Sequence, residues 1–147
     1  MNIDRLVDSI DVFAVIVRSL EDAGPGCKQL NDLRQMAERS RDALLAGDFA
    51  TLSRVMIDNM EAQRRLHPDL VSIDARRVSE IARSHKTLGW KVNGAGGEGG
   101  SLTILCGADW GAKRAMIREI EGEDPSFRNI PIALSQAGLR VWRGDLL

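Results

Sequence analysis

The sequence predicts an α+β fold: a ferredoxin-like sandwich in which helices cover an antiparallel sheet of about four strands, with additional N-terminal helices. Two observations carry this prediction. Up to residue 89, apolar residues recur every three or four positions, which is typical of amphipathic helices. Beyond that point, short β-prone runs flank a glycine-rich segment and precede one further helical pattern. The strand that opens a standard ferredoxin-like fold is not obvious in this sequence. Either an extra C-terminal strand takes its place, or part of residues 10–17 is that strand.

The composition describes an ordinary globular domain, with 147 residues of which 44% are hydrophobic and 28% charged. A formal net charge of -1 gives no support to nucleic acid or an anionic membrane as a partner. Two distant cysteines and two histidines argue against a disulfide framework or a zinc site. The apolar stretch of residues 10–17 is too short and too charged to cross a bilayer, and no signal peptide is recognisable, so we expect a cytoplasmic location.

A first helix is predicted within residues 1–25, because apolar residues between 3 and 20 lie on one helical stripe that ends near Gly24. Val12, Val15 and Ile16 widen the stripe, and their β-branched side chains leave a buried strand as an alternative. This stripe is either a central core element, or a contact between copies of the chain or an edge left by missing protein. A homodimer through residues 3–20 is therefore one expectation.

Three more helices are predicted before residue 89. Gly47 should end the second helix in a left-handed conformation, and Asp48 should cap the third. The third helix continues to Pro68, and Asp69 is expected to begin the fourth. Because the connections are short, these helices should pack as antiparallel neighbours.

The remaining pattern predicts two hairpins around a helix. Trp90–Asn93 and Ser101–Cys106 are β-prone runs, and Asp109 can cap a helix that continues to Gly122. Asn129–Leu134 and Leu139–Trp142 then predict a final hairpin.

Between the first two strands, five glycines occupy seven positions, 94–100. Glycine adopts positive φ and lets a backbone or a ligand approach closely. The segment is therefore either a tight bulged hairpin or a loop that faces phosphate groups. Lys91 precedes it, and the sequence alone favours a solvated charge there. His67–Asp69 is interpreted as a helix junction, and Cys106 as a buried, inert thiol.

Four segments, Ala43–Leu52, Met56–Asn59, His67–Leu70 and Trp90–Gly97, resemble in order and spacing the C-terminal domain of GHMP-superfamily small-molecule kinases. The resemblance covers roughly residues 30–120 and is greatest to the sugar-kinase branch, which includes heptose-phosphate, fucose and galactose kinases. We therefore assign residues 26–147 to this domain, and residues 1–25 to an N-terminal segment that matches the family poorly.

The resemblance implies ATP-dependent phosphoryl transfer to a sugar or sugar phosphate, with Mg²⁺ bridging the nucleotide phosphates. Such transfer needs backbone N–H donors and cations around the transferring group. Glu98 stands where the family commonly has glycine, and Ser101 also departs from the family pattern. By position, the loop on the nucleotide-phosphate side corresponds to Asn93, Gly94, Ala95, Gly96, Gly97, Glu98, Gly99, Gly100 and Ser101.

The family's nucleotide-binding motif, a proline followed by a Gly-Leu-Gly-Ser-Ser-like loop, does not occur in this sequence. The catalytic residues and metal ligands belong mainly to the same N-terminal half of such kinases, so no catalytic or metal residue is assigned here. We expect a domain fragment, a truncated product or one part of a split protein. Its partners would be an N-terminal kinase half and a sugar, and ATP and Mg²⁺ would not bind tightly to this chain alone. The alternative is a non-catalytic α+β module for binding or oligomerisation, derived from the same scaffold.

Overall fold

A computed structural model describes residues 14, 16–18, 20–24, 26–94 and 100–133. The described fold is α+β and mostly helical. Residues 14, 16–18 and 20–23 are helical, which favours the helix over the strand for that part of the N-terminal segment. The elements that follow are α1 (Lys28–Ala46), α2 (Phe49–Leu66), a 3-10 turn (Pro68–Leu70), α3 (Ile73–Ser84), β1 (Gly89–Asn93), β2 (Ser101–Leu105) and α4 (Trp110–Glu123).

The end of α1 and the start of α2 follow the sequence prediction. Gly47 has φ 66° and ψ 19°, in the left-handed region. Its N–H donates to Leu44 O, and the N–H of Asp48 donates to Ala43 O, so the last carbonyls of α1 are satisfied. The Asp48 carboxylate then accepts from the backbone N–H of Thr51 at 2.9 Å. These local contacts turn the chain sharply, and α1 and α2 pack against each other.

The prediction that Asp69 begins the fourth helix is wrong. Residues 68–70 form a separate 3-10 turn, in which the His67 ring accepts from the N–H of Asp69. The helix α3 begins at Ile73, because the Ser72 hydroxyl accepts from the N–H of Ala75 and caps the helix. His67–Asp69 is thus a junction between helices, as the sequence interpretation had it.

The two strands form an antiparallel hairpin in which Trp90 pairs with Ile104 and Asn93 with Ser101. Because side chains alternate across a strand, the hairpin has an apolar and a polar face. The apolar face packs into the core. On the polar face lie Lys91, Asn93, Ser101 and Thr103, which form two of the register pairs.

The helix α2 is central, since it contacts α1 and also β1, while α3 contacts both strands and α4. The core therefore lies between the helices and the apolar face of the hairpin. Val92 is only 1% exposed and Trp90 only 6%. The buried members of this core are Met60, Val71, Ile81, Ala82, Trp90, Val92 and Met116.

The described part of the chain contains a two-stranded sheet rather than the expected four strands. Residues 129–133 are not a strand, so the prediction of a strand at Asn129–Leu134 is wrong for them. The N–H of Asn129 donates to the Glu121 carboxylate on α4 instead of a neighbouring strand, and Pro131 has no N–H to offer. Residue 134 and the predicted strand Leu139–Trp142 lie outside the described residues. None of the described helices combines the length and apolar character that a bilayer crossing requires.

Candidate functional site

The hairpin brings the two ends of the glycine segment together. Asn93 and Ser101 are its last register pair, and Gly94 and Gly100 follow them on either side. Gly94 has φ 66° and Gly100 has φ 88°, a region that other residues adopt only under strain. Of the nine residues predicted for this loop, these four lie together at its base. The other five, Ala95, Gly96, Gly97, Glu98 and Gly99, lie outside the described residues.

The Asn93 side chain links the two strands at this base. Its amide nitrogen donates to the Ser101 hydroxyl at 3.0 Å, and its amide oxygen accepts from the Thr103 hydroxyl at 3.0 Å. Both ends of the amide are therefore occupied, which fixes its orientation. Asn93 and Ser101 are among the site residues predicted from the sequence, whereas Thr103 is not.

Helix α2 supplies a further contact to the loop base through Gln63. The amide nitrogen of Gln63 donates to the carbonyl oxygen of Gly94 at 2.9 Å, across 31 positions of sequence. The other end of the amide, Oε1, is buried and accepts from no described residue. A buried acceptor without a donor is uncommon in native proteins. Gln63 thus presents an unused hydrogen-bond acceptor beside the first residue of the glycine segment.

Lys91 is the cation nearest to this base along β1, on the same face as Asn93 and paired with Thr103. The sequence favours a solvated charge here. The side chain is half-buried, and burial lowers the pKa of the ammonium group. Its Nζ donates to the carbonyl oxygen of Val92 at 2.7 Å. In the described part of the chain, no carboxylate forms an ion pair with it. The hairpin therefore holds a partly desolvated cation two residues from the loop base.

The side chains of His85 and Cys106 have structural roles in other parts of the fold. The ring of His85 lies 2.7 Å from a Glu119 oxygen and ties the end of α3 to α4. Cys106 is half-buried, and burial raises the pKa of its thiol, so the reactive thiolate is disfavoured. Among the residues that the structure describes, no three His, Cys, Asp or Glu side chains converge as metal ligands do.

A groove of about 220 Å³ opens between α2 and α3, away from the polar face of the hairpin. Its floor includes Met60, Val71 and the ring of Trp90, and its rim is charged. Arg83 also lines the groove, and its guanidinium carbon lies 5.5 Å from the centre of the Trp90 ring. Sequence reasoning missed this groove, because its walls come from three separate elements.

Comparison with protein-family models finds no match to this chain, and comparisons with curated proteins and with solved structures find no significant match either.

Proposed function

We propose that this chain is the C-terminal domain of an ATP-dependent sugar or sugar-phosphate kinase of the GHMP type, and that its glycine segment lies beside the transferring phosphate. The observation that carries the proposal is the base of that segment. Asn93 links the two ends through its hydrogen bonds with Ser101 and Thr103. Gln63 ties the first end, Gly94, to α2. A glycine-rich segment whose ends are anchored in this way can direct backbone N–H groups towards an anion with little further ordering during the reaction.

Lys91 supports the same proposal through its charge. A half-buried ammonium group without a carboxylate partner retains a strong electrostatic attraction for an anion. Phosphoryl transfer is accelerated mainly by positioned donors and cations, so a lysine at this place has a clear use. Its role would be to stabilise negative charge on the phosphate oxygens, not to accept a proton.

The proposal includes the parts that such a kinase needs from elsewhere. An N-terminal half would bring the nucleotide loop, the catalytic residue and the Mg²⁺ ligands, and a sugar would bind between the halves. ATP and Mg²⁺ would supply the phosphoryl group and neutralise its charge. The ferredoxin-like sandwich of about four strands and a cytoplasmic location belong to the same proposal.

The experiment joins this chain to its N-terminal half, taken from the neighbouring coding sequence, and measures ADP release with a panel of sugars and sugar phosphates. We expect at least one sugar to stimulate ADP release. Gly96→Val should abolish the stimulation, whereas Gly107→Ala should not, because a Cβ at Gly107 meets no atom within 4 Å. A well-folded pair that releases no ADP with any sugar would contradict the proposal.

A second candidate function, a non-catalytic oligomerisation module, is favoured by apolar side chains at the turn between α1 and α2. Leu45 is 82% exposed, Leu44 59% and Phe49 56%, which is a large apolar area for one turn. Most of the homodimer contact expected at residues 3–20 lies outside the described residues. Light scattering should then report a dimer that Leu45→Ser with Phe49→Ser dissociates, and a strict monomer would exclude this function.

A further inference from the structure

We propose that the groove between α2 and α3 is a binding site for a small phosphorylated sugar. The groove is separate from the polar face of the hairpin, since the Trp90 ring on its floor belongs to the apolar face. Its volume of about 220 Å³ is below that of sites for drug-sized ligands, and it matches a small metabolite. The residues used in the argument are Arg64, Arg76 and Arg83, Glu61 and Glu80, and Trp90.

The arginines on the rim provide the anion site. Arg76 and Arg83 stand two turns apart on α3, and among the described residues neither forms an ion pair with a carboxylate. Arg64 approaches from α2 and is already paired with Glu61, at 3.0 Å. Guanidinium groups bind phosphate oxygens through two parallel N–H donors, a geometry that lysine cannot offer. Two guanidinium groups without a carboxylate partner beside one groove therefore favour a phosphate group as the ligand's charged end.

The glutamates select what is attached to the phosphate. Glu61 and Glu80 also line the groove, and Glu80 forms no ion pair with any residue that the structure describes. Carboxylates repel a bare anion but accept hydrogen bonds from hydroxyl groups. A ligand that carries hydroxyl donors a few ångströms from its phosphate satisfies both charges on the rim. Inorganic phosphate satisfies only the arginines.

The floor contributes apolar contact. Trp90, Met60 and Val71 line the groove and are almost fully buried. The C–H face of a sugar ring can pack on such a floor while its hydroxyl groups point towards the rim. The guanidinium of Arg83, stacked over the Trp90 ring, is held in place for the phosphate.

The test is isothermal titration calorimetry on this chain alone, without ATP or any partner, so its result is independent of the kinase proposal. The probes are glucose 6-phosphate, mannose 6-phosphate, fructose 6-phosphate and ribose 5-phosphate, compared with glucose and inorganic phosphate. We expect saturable one-to-one binding of at least one sugar phosphate, tighter than the binding of glucose or inorganic phosphate. Arg76→Gln with Arg83→Gln should weaken this binding by at least about tenfold.

Arg118→Gln is the matched control, because Arg118 is an exposed arginine on α4 and does not line the groove. It should leave the affinity unchanged. All three substituted arginines are exposed, and equal thermal midpoints would show that both variants are folded. Glu61→Gln with Glu80→Gln should reduce the preference for sugar phosphate over inorganic phosphate. The proposal is overturned if no sugar phosphate binds saturably, if inorganic phosphate binds as tightly, or if Arg118→Gln weakens binding as much as the double variant.

Discussion

Gly89 lies directly against the backbone of Ser53. A Cβ at residue 89 would stand 2.5 Å from the carbonyl oxygen of Ser53, and no side chain could move aside to relieve the contact. The first residue of β1 thus touches the helix α2 where only a hydrogen fits. This contact sets how closely α2 can approach the strand, and through it the position of Gln63 at the other end of the same helix.

Gly89→Ala should destabilise the fold by at least about 2 kcal/mol, because the added methyl group forces α2 away from β1. Urea unfolding followed by circular dichroism measures the free energy of unfolding. Gly107→Ala is the control, since a Cβ there meets open space. An alanine variant at 89 that is as stable as the unsubstituted chain would show that the helix and strand are not packed as closely as described.

The link between Asn93 and Thr103 should appear as a coupling energy. In a double-mutant cycle with Asn93→Ala and Thr103→Val, we expect a coupling of about 0.5–1 kcal/mol, the usual net worth of one exposed to half-buried hydrogen bond. Asn93→Ala with Thr87→Val is the control cycle, because Thr87 donates to Ala82 and not to Asn93. Strictly additive effects for the first pair would contradict the hydrogen bond.

Lys86 should be a site of easy stabilisation. It ends α3 with φ 55°, in the same left-handed position that glycine occupies at the end of α1. A lysine in this conformation has backbone strain that glycine lacks. Lys86→Gly should therefore raise the free energy of unfolding by about 1 kcal/mol. Gly47→Ala should lower it by a similar amount. Thermal unfolding of both variants, with shifts in opposite directions, is the expected result, and two shifts of the same sign would refute the explanation.

Stability should fall at acidic pH through Asp48. Its hydrogen bond from the Thr51 N–H lowers the pKa of the carboxyl group. A carboxyl group with a lower pKa in the folded state stabilises the protein above the ordinary aspartate pKa of about 3.9 and loses that effect as the pH falls below it. Asp48→Asn keeps a capping side chain that does not titrate. The difference in thermal midpoint between the two proteins should therefore change between pH 6 and pH 2.5, and a constant difference would contradict the role of the Asp48 carboxylate.

The charge of Lys91 should lower the stability of the fold while it supports ADP release in the joined kinase. Burial lowers the pKa of its ammonium group, so the charged lysine destabilises the folded state at neutral pH, and this cost disappears as the pH rises towards the ordinary lysine value of about 10.4. Lys91→Met should therefore raise the thermal midpoint at pH 7, by less as the pH approaches 10. In the joined kinase, Lys91→Met should lower ADP release, and unchanged release would remove Lys91 from the proposed role.

The candidate site was predictable in part. Asn93, Gly94, Gly100 and Ser101 stand at the two ends of the predicted loop, and any hairpin with this register brings them together. Gln63 was not predictable, because nothing in the pattern of an amphipathic helix distinguishes a glutamine that contacts a loop 31 positions away. The partial burial of Lys91 was not predictable, since it depends on how the rest of the fold covers the hairpin. The groove beside Trp90 had no sequence signal at all.

The sequence by itself determined where α1 ends and where α2 and α4 begin. The turn at Gly47 and the caps at Asp48 and Asp109 rest on contacts within about five residues, which need nothing from distant parts of the chain. Only the tertiary structure decided that residues 129–133 do not add a strand to the sheet. It also decided that α2 packs directly against Gly89 and that Arg83 stacks on Trp90. These features depend on the side chains and backbone of segments that are distant along the chain, and their packing overrides local preference.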